Sequence, residues 1–283
     1  MIHLRQGDYE AAFSAEGAEL QGFRWRGQEL LWGGDPAWWA RRAPLLFPVV
    51  GASAAGPLPK HGFARDRTWE VMEASAGQAV FRLRDDAATR SIYPFAFDLR
   101  LEVALTEAGL RQTARLHNPG DGDLPAQFGF HPAFRWPLLP GTAREAHRLR
   151  FGAPEPGLLR RLRGDLIAVE PRATPVAGRE LPLRDALFEA DALIWEAPAS
   201  RSVDYGVPGH PNLRLAWDLP SFACWTKPGA PFLCLEPWQG LADFEGAEGR
   251  LEARPGALRL PPGGTATWTL DLAMVTPEAD PAD

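Results

Sequence analysis

Two segments of the chain carry side chains that could move protons. His131 sits in Gln127-Phe128-Gly129-Phe130-His131-Pro132-Ala133-Phe134, and Glu236 follows about a hundred residues later in Leu235-Glu236-Pro237-Trp238-Gln239-Gly240. A histidine and a carboxylate suit proton exchange near neutral pH, because burial and neighbouring charge readily bring either into that range. Pro132 biases His131 towards extended backbone, which holds the imidazole on a stiff segment between aromatic residues. Glu236 ends a near-continuous apolar run from Phe232, the pattern of a strand buried on both faces. Desolvation there raises a carboxyl pKa and makes it a better base, and Pro237 is expected to stop the strand and open a pocket rim. The ordinary alternatives are a core histidine bonded to a backbone carbonyl and a structural glutamate capping a loop.

A third segment, Pro59-Lys60-His61-Gly62-Phe63-Ala64-Arg65-Asp66, packs hydrogen-bonding groups around a glycine turn and suits hydroxyl recognition. Its alternative is a solvated loop in which Arg65 and Asp66 pair with neighbours at little energetic gain. Asp191 precedes the apolar run Ala192-Leu193-Ile194-Trp195, at the mouth of a strand, where aspartate also serves as a common turn residue. Phe134 and Trp238, the aromatic neighbours of the acid–base pair, are expected to wall the site. Flat aromatic faces stack on sugar C–H bonds, although most of the 11 tryptophans must simply be core.

The chain contains no phosphate-binding glycine loop, no H-E-x-x-H, no cysteine pairs at zinc spacing and no G-x-S-x-G elbow. No cofactor and no metal are therefore expected; His210 and Asp218 could be ligands only by tertiary accident. A net charge of −6 with no basic tail argues against a nucleic-acid partner. Lys60 and Lys227 are the only lysines among 30 basic residues, an arginine excess that reads mainly as codon bias. No window approaches the roughly 18 apolar residues of a membrane span and no apolar leader opens the chain, so a cytoplasmic protein without a membrane partner is expected. The composition gives no reading of the oligomeric state.

Period-2 alternation dominates: Ala18 to Trp25, Ala79 to Arg84, Phe95 to Leu105, Leu110 to Leu116 and Thr265 to Leu272 read as strands. Residues 95 to 117 form a predicted antiparallel hairpin turning at Thr106-Glu107-Ala108-Gly109, with one wet face. No segment shows a helical stripe, so the fold class is all-β, antiparallel. Residues 137 to 190 read as long connections and short strands over the sheet. A single domain is expected over 1–276, with 277–283 a frayed tail. Cys224 and Cys234 lie symmetrically about Gly229, so a hairpin there would place them opposite each other; free core thiols are favoured over a disulfide.

Taken in order, Pro44-Leu45-Leu46-Phe47-Pro48-Val49-Val50-Gly51, the His61 to Asp66 segment, Gly129 to Phe134, Asp191 to Ile194 and Leu235 to Gly240 resemble the aldose 1-epimerase family, also called galactose mutarotase-like. The resemblance spans nearly the whole chain and lies near the branch of LacX-type proteins and hexose-phosphate epimerases. It implies a β-supersandwich with a sugar cleft and a monosaccharide substrate. His131 would be the general acid, Glu236 the general base, and His61 and Asp191 would hold sugar hydroxyls. Relatives commonly carry an arginine soon after Gly51, where this chain has Ala52-Ser53-Ala54-Ala55-Gly56. Arg65, or Arg41 and Arg42, would replace it, and the gap leaves room for a phosphorylated or sulfonated hexose with Arg65 as clamp. The competing functions are a silent sugar-binding protein on the same fold and a glycoside hydrolase pairing Glu236 with Asp243 or Asp66.

Overall fold

The computed structural model describes residues 1–276; the tail expected at 277–283 lies outside the described residues. Two large antiparallel sheets organise the chain. A nine-stranded sheet runs in the order Glu180–Pro182, Arg148–Phe151, Ser202–Gly206, Asn212–Trp217, Thr265–Val275, Gly109–His117, Asp98–Thr106, Gln78–Arg84 and Glu70–Ala74. A six-stranded sheet runs Leu193–Trp195, Ser221–Trp225, Phe232–Gln239, Phe128–Phe130 and Leu45–Leu46, with Ala133–Arg135 also paired to Phe232–Gln239. A four-stranded meander occupies Ile2 to Glu29.

The alternation in sequence becomes alternation of burial, since successive strand residues point to opposite faces. Asp98–Thr106 pairs with Gly109–His117 from Asp98↔His117 to Thr106↔Gly109, so the predicted hairpin and its turn are present. Its first strand starts three residues later than expected. Tyr93, Phe95 and Phe97 leave the ladder and pack on one another, Tyr93–Phe95 at 4.9 Å between centroids, while Asp85 accepts the Phe97 N–H at 3.0 Å. The one α-helical turn among the described residues, Ala87–Arg90, is closed by a capping box between Asp86 and Thr89. The 137 to 190 region does hold short strands, two of which extend the nine-stranded sheet at one edge.

One cluster of buried side chains reaches from Leu4 to Leu272 and fills the space between the sheets. Two smaller clusters lie on the other side of the six-stranded sheet: one around Leu46, Ile194 and Trp238, the other around Trp32, Ala133 and Cys234. Phe232–Gln239 therefore is apolar on both faces, and seven of its eight residues are buried.

The two cysteines correct the symmetry read from sequence. Cys224 pairs with Leu235 and Cys234 with Trp225, so the hairpin turns half a residue beyond Gly229. The thiols consequently point to opposite faces, Cys224 into the main core and Cys234 into the Trp32 cluster, and both are free and buried.

Candidate active site

Pro237 does not stop its strand. The ladder continues through Trp238 to Gln239, because the missing N–H falls where it has no partner to lose. Leu235 donates to the Pro132 carbonyl at 3.1 Å, and the amide position two residues on points to the same side. There the neighbouring chain has left the ladder to turn through His131-Pro132, between the strands Phe128–Phe130 and Ala133–Arg135. The same break lets His131 reach Glu236.

These two residues lie on a cavity of about 280 Å³, walled by Trp39, Trp225, Trp238, His61, Arg65 and Asp191 among others. That is the scale of a small-molecule site. His131 Nε2 lies 3.0 Å from Glu236 Oε2, with the two side chains 7% and 1% exposed. The contact is close but poorly aligned, and both His131 Nδ1 and Glu236 Oε2 are buried without a hydrogen-bond partner among the described residues. Burial holds the Glu236 carboxyl above its ordinary 4.5, opposed by the charge and proximity of His131 and reinforced by Asp191. Trp39 stacks on the imidazole at 5.0 Å, while His61 and Trp225 meet its edges at 5.4 and 6.3 Å, so three rings fix its plane.

His61 enters the cavity from a tight turn. It has φ +68° and Gly62 φ +70°, and a Cβ on Gly62 would lie 2.1 Å from the Phe47 carbonyl oxygen, so only glycine fits beside it. Gly51 and His61 bond reciprocally: the His61 amide donates to Gly51 O at 2.9 Å, and the Gly51 amide to His61 Nδ1 at 3.2 Å. Burial, followed by the charges of His131, Arg65, Lys60 and Arg41, pushes His61 well below 6.5. A neutral ring accepting at Nδ1 carries its proton on Nε2, making His61 a hydrogen-bond donor to a ligand.

The remaining expected residues divide. Asp191, at φ +63°, and Trp238 line the cavity, and the Trp238 indole N–H is buried without a partner among the described residues. Arg65 also lines it, with Nη2 donating to the Lys60 carbonyl at 2.7 Å and Nε 3.7 Å from Asp66 Oδ2, without a hydrogen-bond partner among the described residues. Phe134 does not wall the site. It is fully buried in the main core and pairs with Leu233, because it lies an odd number of residues from His131 and so faces the other way. Arg41 is turned onto Asp66 and the Arg65 carbonyl, and Arg42 onto the Gln21 carbonyl; neither lines the cavity.

Sequence reasoning missed Trp39, Trp225, Lys60 and Asp165. Lys60 Nζ meets Asp165 Oδ1 at 2.6 Å and joins two loops at the cavity wall. It also missed Arg254, whose guanidinium is wholly buried beneath the Gly/Ala-rich segment after Gly51. Arg254 donates to Val50 O at 2.8 Å, Ala52 O at 3.1 Å, Gln127 Oε1 at 3.1 Å and the Ser53 hydroxyl, and pairs with Asp243 at 3.3 Å.

The family model for aldose 1-epimerase matches residues 1–153, a stretch that includes His61 and His131. Chromosomal protein LacX of Lactococcus lactis subsp. lactis is 28% identical over 97% of this chain and 99% of its own. Among solved structures, a galactose mutarotase-like protein from Lactobacillus casei superposes with a TM-score of 0.90 at 27% identity, covering 97% of this chain and 100% of that one. A galactose mutarotase related enzyme from Lactobacillus acidophilus gives 0.88 at 26%, covering 98% and 99%. The all-β fold is thus that of the galactose mutarotase-like proteins, and the chain belongs to the aldose 1-epimerase family.

Proposed function

We propose that this protein interconverts the α and β anomers of an aldose, with Glu236 as general base and His131 as general acid. The observation that carries the reading is the 3.0 Å contact between His131 Nε2 and Glu236 Oε2 on a tryptophan-walled cavity. Mutarotation acts on two oxygens bonded to one carbon, the C1 hydroxyl and the ring oxygen. An acid and a base already in contact can serve both with little displacement. Glu236 removes the hydroxyl proton, His131 protonates the ring oxygen, and the bond from C1 to the ring oxygen breaks to give the open aldehyde. Rotation about C1–C2 presents the other carbonyl face, and closure with the roles reversed returns both protons. The reaction as written consumes no cofactor.

His61 Nε2–H and the Asp191 carboxylate are the hydroxyl-binding groups of this reading, with Trp39, Trp225 and Trp238 offering apolar faces. The charge on the walls favours a neutral aldose over a phosphorylated or sulfonated one. Lys60 is paired with Asp165, Arg65 is engaged on the Lys60 carbonyl and on Asp66, and Asp191 and Glu236 add two further carboxylates to the same space. Neither carboxylate that the hydrolase alternative pairs with Glu236 lines the cavity: Asp66 is held by Arg41 and Asp243 by Arg254.

The test is NMR exchange between anomers across neutral, phosphorylated and sulfonated hexoses. Wild type accelerates exchange of a neutral aldose, and Glu236→Gln and His131→Asn abolish it. Folded wild type that binds an aldose without accelerating exchange would make this a sugar-binding protein instead.

A further inference from the structure

Behind the cavity wall lies a third donor that mutarotation does not use. Cys234 stands two residues before Glu236 on the same strand and therefore on the same face, beneath the acid–base pair. Its Sγ, a ring nitrogen of His131 and a carboxylate oxygen of Glu236 all lie within 4.8 Å of one another. All three residues are buried, and two of their polar atoms, His131 Nδ1 and Glu236 Oε2, have no hydrogen-bond partner among the described residues.

We propose that these three residues form a binding site for a thiophilic divalent cation of the Zn²⁺ class, and that the cation inhibits the enzyme by occupying its acid and base. One thiolate, one imidazole and one carboxylate are a ligand set that zinc accepts, with a cavity-facing fourth position left for water. Bonds of about 2.0–2.3 Å imply ligand atoms roughly 3.5 Å apart, so the trio needs to close by about 1 Å around the ion. His131 and Glu236 line the cavity and give the ion a route in; Cys234 lies just behind them. Binding ionises the thiol and needs a neutral imidazole: as the S–Zn and N–Zn bonds form, the S–H proton and the proton that His131 carries as general acid leave to solvent, so two protons are released for each ion bound. Lys60 does not oppose the charge, because Asp165 already neutralises it. Hard cations such as Mg²⁺ gain nothing from the sulfur and are not bound.

Binding does not depend on the proposed reaction and is measured without turnover. Zn²⁺ is titrated calorimetrically into the purified full chain, and Co²⁺ is added separately to read its spectrum. One ion per chain is expected, with a thiolate-to-cobalt charge-transfer band. Cys234→Ala, which leaves His131 and Glu236 in place, removes the band and weakens Zn²⁺ binding at least about 10-fold, and His131→Asn weakens it to a similar degree. If aldose exchange is observed, Zn²⁺ suppresses it in wild type, a chelator restores it, and Cys234→Ala resists. Absence of stoichiometric binding below ~1 mM, or equal affinity in folded Cys234→Ala, overturns the site whatever the fate of the mutarotase reading.

Discussion

Arg254 is the side chain on which the floor of the loop bearing Gly51 rests, and removing its charge gives the sharpest test of how the site is built. Its guanidinium is 0% exposed and its partner Asp243 2%. Five hydrogen-bond acceptors from three segments converge on it, including the carbonyls of Val50, Ala52 and Leu241 at 2.8, 3.1 and 3.3 Å. Asp243 in turn accepts from the Ala54 amide at 2.8 Å, and Gln127 bridges the Val50 amide to Leu241 O. In Arg254→Met the volume is kept, but Asp243 becomes a buried carboxylate with a single amide donor in the described contacts. Breaking one side of a buried pair costs about 3–5 kcal/mol. At about 2–4 °C per kcal/mol for a chain of this order, Tm should fall by roughly 6–20 °C.

Asp243→Asn should cost less than Arg254→Met, since a neutral amide still accepts from Ala54. The double variant should be more stable than the sum of the two by about 1–3 kcal/mol, because the second change removes a charge that the first left unpaired. Denaturant unfolding of the four proteins measures this. The functional consequence follows from the reciprocal Gly51–His61 bonds: a loosened Gly51 no longer fixes the tautomer of His61. If His61 is a binding donor, KM rises more than kcat falls. A loss below about 1 kcal/mol in Arg254→Met, or additivity within about 0.5 kcal/mol, would refute the argument that this network carries the loop.

Three further outcomes are expected. Glu236→Gln should unfold at a higher temperature than wild type at neutral and alkaline pH. Burial raises the folded-state pKa of Glu236, so its stabilising protonation is lost as pH rises through that raised value, whereas glutamine pays no such cost; an equal or lower Tm above that range contradicts this. The acidic limb of kcat/KM for anomer exchange should fall with a midpoint above the ordinary 4.5 of a glutamate, since the base must be ionised; a midpoint at or below it removes Glu236 as a desolvated base. Gly129→Ala places a Cβ 2.6 Å from Trp238 Cδ1 and 3.1 Å from Leu46 Cδ1, so it should destabilise by about 1–3 kcal/mol and raise KM by tilting the indole; unchanged Tm and tryptophan fluorescence would contradict the close packing.

The sequence made the strands legible because their signal is local: a period of two survives in Asp98–Thr106 and Gly109–His117 wherever one face is wet. The segments around His131, His61 and Glu236 were legible because each sets a titratable group beside glycine, proline or aromatics. What failed needed distances between segments. Trp39 and Asp165 come to the cavity from loops whose own residues give no pattern, and Arg254 stands in an ordinary Glu-Ala-Arg-Pro stretch whose partners lie up to 204 residues away.

Some of what was missed was nevertheless written in parity. Once Glu236 is taken to face the cavity, the pleat puts Cys234 and Trp238 on that face and Leu233, Leu235 and Pro237 on the other. Directly opposed residues share a face, so the observed pairings of Ala223 with Glu236, Trp225 with Cys234 and Ala133 with Cys234 carry the assignment to both neighbouring strands. From Ala133 the same alternation returns His131 and Gly129 to the cavity and sends Phe130 and Phe134 to the core, as their burial in the main cluster shows. A single inward residue plus register therefore places the acid, the base, two tryptophans and the thiol on one surface. The half-residue shift of the turn beyond Gly229 separates the two cysteines by the same logic, and leaves Cys234 alone behind His131 and Glu236.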